Sequence, residues 1–116
     1  MKSFEGVRII DSKLGALKHG AALALPGKGI YLSLDFYGKR PKRFKQLLRH
    51  EFGHFLQARK HGYFYFYFVI ALISLISAKF ARVHQHTWTE REANTLAYNY
   101  FNQPDDWDLE HYPVNE

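Results

Sequence analysis

The spacing of apolar positions changes twice along the chain, and each change marks a different kind of element. In the first third, "GVRII" and "ALAL" are short apolar runs broken by "KHG" and "PGKG". "GIYLSLDFYG" alternates, with Ile30, Leu32 and Leu34 on one face and Tyr31 and Ser33 on the other. Period-two runs bounded by Gly and Pro predict short strands, here a small antiparallel sheet or meander.

From Pro41 to Lys60 the period becomes helical. Proline suits the first helical position, and Gly62 is placed to end the helix. At about 100° per residue, Phe44, Leu47, Leu48, Glu51, His54, Phe55 and Ala58 share one broad arc, with His50 and Gln57 on its margin. A second helix is expected from Thr89 to Asn102, stopped by Pro104. The acidic tail "DDWDLEHYPVNE" is expected to be irregular.

Between the helices lies "YFYFYFVIALISLISA", Tyr63 to Ala78, the most apolar segment, flanked by Arg59, Lys60 and His61 and by Lys79 and Arg82. It falls short of the roughly 17–20 residues that a membrane span needs. Burial as a connection covering the space between the helices is therefore the expectation. Contact with a membrane surface through residues 63–78 is the competing one, because basic flanks and an aromatic end suit an interfacial anchor.

Composition narrows the chemistry. The 116 residues are 47% hydrophobic and 17% aromatic, enough for one core and one domain spanning 1–116. The absence of cysteine excludes disulfides, thiolate nucleophiles and cysteine-ligated metal. Net charge is +5, concentrated in "KRPKRFK", Lys39 to Lys45. A solvated helix start explains that cluster, and no nucleic-acid-binding signature accompanies it. The N-terminus lacks the apolar stretch of a secretory signal, so a cytoplasmic location is expected, with membrane association as the alternative.

Within the first helix, "RHEFGHFLQ" contains His50-Glu51-Phe52-Gly53-His54, an HExxH sequence. Residues four apart lie one turn apart on a helix, so the two imidazoles can converge on one ion while Glu51 stands beside it. Zn2+ accepts such nitrogen ligands in a tetrahedral shell whose fourth position can hold water. Two buried imidazoles and a carboxylate would otherwise need several kcal/mol of compensation.

A third ligand must come from elsewhere, and "HTWTEREANTLAYNYF" offers the candidates. Glu90 shares a helical face with Ala93, Asn94, Ala97 and Phe101, whereas Glu92 points away. The alternative for Glu90 is a capping box with Thr87; if the helix begins at Thr89, Glu92 fills that role and Glu90 is left for the metal. Asn94, one turn beyond Glu90, and Gln57 are candidates to hold the ligands by hydrogen bonds. His84 and His86 are alternative ligands or donors to a reacting oxyanion. His19, His61 and His111 carry no spacing signal.

"HEFGH" followed by "TEREAN" resembles the gluzincin type of zinc metallopeptidase, in which a glutamate on a later helix completes HExxH. In that group an aspartate or asparagine commonly follows four residues on, the relation Asn94 bears to Glu90. The stretch Leu47 to Phe101 is similar to small bacterial HExxH domains, some found as end modules of polymorphic toxin-like proteins. "EREAN" also resembles the corresponding element of the ImmA/IrrE peptidases. The resemblance implies a minimal zincin-like α+β fold: a small sheet, the HExxH helix, an apolar connection and a second ligand-bearing helix. It further implies His50, His54 and Glu90 as zinc ligands, Glu51 as general base and a peptide substrate. A metal-stabilised binding module without turnover, and a small membrane-associated protein with incidental histidines, are the rival expectations.

Overall fold

A computed structural model describes residues 3–80 and 87–115. Strands β1 (Ser3–Phe4), β2 (Val7–Asp11), β3 (Leu23–Leu25) and β4 (Gly29–Leu32) form one sheet in the order β1-β2-β4-β3. A short 3-10 turn, Gly15–His19, links β2 to β3. The outer pairs are antiparallel, but β2 and β4 run parallel, with Ile9 opposite Ile30. The sheet is therefore mixed. Strand periodicity reports which residues face inward and carries no information on strand direction, which here follows from β4 entering between its two neighbours.

The alternating stretch beginning at Gly29 leaves the sheet sooner than its pattern suggests. Ser33 caps α1 (Leu34–Tyr37), its hydroxyl accepting from the Phe36 N–H at 3.2 Å. The Asp11 carboxylate accepts from the Leu34 N–H at 3.0 Å. Two local side-chain bonds thus outcompete continuation of the strand.

Helix α2 (Pro41–His61) starts at its proline and ends where Gly62 adopts φ +88°, with the Gly62 N–H bonded to the Ala58 carbonyl. It is the central pillar. The sheet packs on Leu47, Leu48, Phe52 and Phe55 together with Val7, Ile9, Ile30 and Leu32. Phe52 is fully buried although it lies outside the expected arc, because helix α5 (Trp88–Tyr100) covers the opposite side of α2. Each large apolar side chain so buried contributes roughly 1.5–3 kcal/mol.

The apolar stretch after Gly62 is helical but broken. It comprises α3 (Tyr63–Tyr65), a π-helical turn at Phe66–Ile70, and α4 (Ala71–Phe80). Phe66 and Ile70 pack with Ala58 of α2. The Tyr67 hydroxyl donates to the Pro26 carbonyl at 2.6 Å. These contacts correct the expectation of membrane association through residues 63–78: no helix among the described residues is long and apolar enough to cross a membrane. The inward side chains of the stretch are committed to α2, to α5 and to the β3–β4 turn.

The tail is ordered by specific contacts. Trp107 is buried and its indole N–H donates to the Tyr112 carbonyl at 3.0 Å. Asp106 pairs with Lys45 at 3.1 Å and Arg49 at 3.0 Å, and the Asp108 N–H donates to Gln46 Oε1. Lys45 and Arg49 hold the Asp106 carboxyl below its ordinary range. Burial pushes Asp108 up, but hydrogen bonds from His111 outweigh it and the net shift is downward. For carboxylates so lowered, the stabilisation is complete above the unfolded value of about 3.9 and is lost as pH falls through the folded one. Acidification below about pH 4 is therefore expected to release the tail and red-shift Trp107 emission in a Trp88→Phe background. An unshifted spectrum down to global unfolding would show that these pairs do not hold the tail.

Candidate metal centre

Three side chains from two helices meet at one point. His50 and His54 project from adjacent turns of α2, and Glu90 projects from the first turn of α5. Glu90 Oε1 lies 3.0 Å from His50 Nε2 and 3.4 Å from His54 Nε2. One potential ligand atom from each residue lies within 4.8 Å of the other two, and all three residues are buried. The helical-face count that selected Glu90 over Glu92 corresponds to this placement.

Close helix packing makes the convergence possible. A Cβ placed on Gly53 would fall 2.1 Å from the Ala93 carbonyl oxygen. Ala93 and Ala97 are fully buried on the facing side of α5. Small residues on both surfaces let the backbones approach until a glutamate reaches two histidines.

The remaining ring nitrogens are fixed from behind. His50 Nδ1 bonds Asn94 Oδ1, and His54 Nδ1 bonds Gln57 Oε1 at 2.7 Å. Both amides are oriented by their own nitrogen ends: Asn94 Nδ2 donates to the Pro113 carbonyl, and Gln57 Nε2 donates to the Thr89 carbonyl and to Glu92. Oxygens therefore face the rings, which places the proton on Nδ1 and turns Nε2 toward Glu90.

The second oxygen of Glu90 is held from an unexpected quarter. Ser74 of α4 donates to Glu90 Oε2 at 2.6 Å and shares a 2.8 Å hydrogen bond with Thr89 Oγ1. Only the placement of two serines three apart within an apolar run, Ser74 and Ser77, could have hinted at this. Glu92 does not cap α5, which begins at Trp88 after Thr87. Instead it reaches back to α2, meeting Lys60 at 3.1 Å and His61 Nε2 at 2.9 Å. Two side-chain partners on a neighbouring helix, one of them the Lys60 ammonium, take the place of a local capping bond.

The electrostatics of the cluster favour positive charge. Burial would lower the His54 pKa, but the Glu90 and Glu51 carboxylates outweigh it and hold the imidazole at about 9. His50 is raised by the same balance, against burial and against its neighbour His54. Carboxylates that raise both buried imidazoles against the cost of burial give the site a field that suits a cation. Its donor set of two nitrogens and a carboxylate fits a divalent metal ion.

Glu51 stands beside the triad without joining it. Its Oε2 is 3.8 Å from His50 Nε2, and it lines the same cavity as His50, His54 and Glu90. That cavity measures about 570 Å3. Tyr112, which no spacing signal marked, also lines it, with its ring 5.1 Å from that of His50. Burial and the Glu51 carboxylate push the Tyr112 phenol up, so it stays a neutral donor. His111 lines the cavity too, with Nδ1 2.8 Å from Asp108. His84 and His86 lie outside the described residues.

No known protein family, curated protein or solved structure matches the chain.

Proposed function

We propose that this protein is a zinc-dependent metallopeptidase of the gluzincin type, with His50, His54 and Glu90 as ligands and Glu51 as general base. The observation that carries the reading is the meeting of those three side chains beside an additional buried carboxylate in an open cavity. A structural metal site has no use for that fourth group, whereas hydrolysis requires a base within reach of a water. Held there, zinc would supply Lewis acidity that polarises a peptide carbonyl and brings a water's pKa toward neutrality.

The protein's own groups do the rest. Asn94 and Gln57 hold the two imidazoles in one tautomer, and Ser74 holds the Glu90 carboxylate so that Oε1 faces them. Glu51 accepts the proton of the attacking water and passes it to the departing amine. Tyr112, a neutral phenol on the cavity wall, donates to the carbonyl oxygen as negative charge develops there.

Purified protein is expected to carry one zinc per chain by metal analysis. Its peptide hydrolysis should disappear on chelation and return with added zinc. Bound zinc with no hydrolysis of any peptide would reduce the site to a binding module. Absence of stoichiometric metal would make the histidines incidental.

A further inference from the structure

The cavity that holds the triad is apolar almost everywhere else. Leu23 and Leu25 of β3, Leu72 and Leu75 of α4, and Leu47 and Phe66 contribute to its lining. Apart from the Tyr112 phenol, assigned to the reacting carbonyl, the polar side chains of its walls outside the metal centre have partners: the Ser74 hydroxyl bonds Glu90, the Tyr67 hydroxyl bonds the Pro26 carbonyl, and the His111 ring bonds Asp108. Among the described residues no lysine or arginine lines it, and its carboxylates, Glu51 and Glu90, belong to the metal centre. A charged substrate side chain entering here would shed its water without gaining a partner.

Apolar surface is left uncovered at this cavity. Leu72 is 53% and Leu75 61% exposed although both line it, and the outward side of the same stretch continues with Phe68 and Ile76. A cavity of about 570 Å3 also exceeds what glycine or alanine would fill. Resting on the peptidase reading, we infer that the cleft selects peptide segments with a large aliphatic or aromatic side chain beside the scissile bond and rejects charged ones. Leu72 and Leu75 act as specificity determinants on the wall of that cleft.

The test uses zinc-loaded protein with Glu51→Gln, which reads recognition separately from hydrolysis. Peptides identical except for Leu, Phe, Lys or Asp beside the cleaved bond are titrated calorimetrically. The Leu and Phe peptides are expected to bind at least about 100-fold more tightly than the Lys and Asp ones. Adding Leu72→Lys and Leu75→Lys should erase at least about tenfold of that preference and favour the Asp peptide, with zinc content unchanged. Both side chains are more than half exposed, so circular dichroism should show the fold intact. Equal binding of all four peptides, or binding of none, would overturn the inference. So would a dimer in sedimentation whose dissociation is needed before peptide binds, because a second copy would then be the occupant of the apolar rim. Selective binding without turnover by the unsubstituted protein would sink the peptidase reading alone. Turnover with no apolar preference would sink this inference alone.

Discussion

Glu51→Gln is expected to abolish peptide hydrolysis while leaving zinc content at one per chain. Glutamine preserves the volume and hydrogen-bonding reach of the side chain but cannot accept and return a proton. Loss of a general base costs about 10²–10⁴-fold in kcat, or roughly 3–5 kcal/mol of barrier. KM should move little, since Glu51 is assigned to proton transfer rather than to holding the peptide. Metal binding should survive because the triad consists of His50, His54 and Glu90, with Glu51 outside it. Metal analysis and steady-state kinetics on one preparation decide the matter: activity within a fewfold of the unsubstituted protein would remove Glu51 from the mechanism.

Gly53→Ala is expected to be the most damaging small substitution. In most helices this change gains stability, by up to about 1 kcal/mol. Here the new methyl would lie 2.1 Å from the Ala93 carbonyl oxygen and 2.7 Å from its carbon. Those are backbone atoms of a buried helix and cannot rotate aside. Helices α2 and α5 must separate, opening the contact that buries Phe52, Ala93 and Ala97. The net loss should be about 2–4 kcal/mol, at or above the top of the usual range for overpacking. Separation also draws Glu90 away from the two imidazoles, so zinc affinity should fall with stability. Thermal unfolding of the metal-free variant and zinc competition with a chelator check the two effects. Stability within about 0.5 kcal/mol of the unsubstituted protein, the scatter of ordinary surface changes, would mean the helices are less tightly apposed.

Much of the site is local and could be read from spacing. Adjacent turns of one helix must bring His50 and His54 to the same face, and Pro41 and Gly62 mark the ends of that helix within a residue. The choice of Glu90 over Glu92 required only the rotation per residue of a second helix. The supporting partners are another matter. Ser74 reaches Glu90 from a segment whose composition speaks only of burial, and the Pro113 carbonyl that orients Asn94 sits in a tail with no periodicity. Tyr112 enters the cavity because Trp107 and Asp106 pin that tail against α2 and α5.

The membrane expectation failed for a related reason. Mean apolarity of residues 63–78 cannot distinguish a face turned to lipid from one turned to Ala58 and Glu90. The π-helical turn and the inward Phe66, Ile70 and Ser74 make the second assignment for one side of the stretch, while Phe64, Phe68, Leu72 and Ile76 stay exposed on the other.

The linear order of residues by itself determined helices α2 and α5, the pair of histidines and the face on which Glu90 sits, because helical rotation is set by neighbours along the chain. Tertiary structure alone decided the parallel pairing of β2 with β4, the grip of Ser74 on Glu90 and the arrival of Tyr112. Each of these joins residues far apart in sequence, and no short-range preference specifies which distant groups will meet when the core closes.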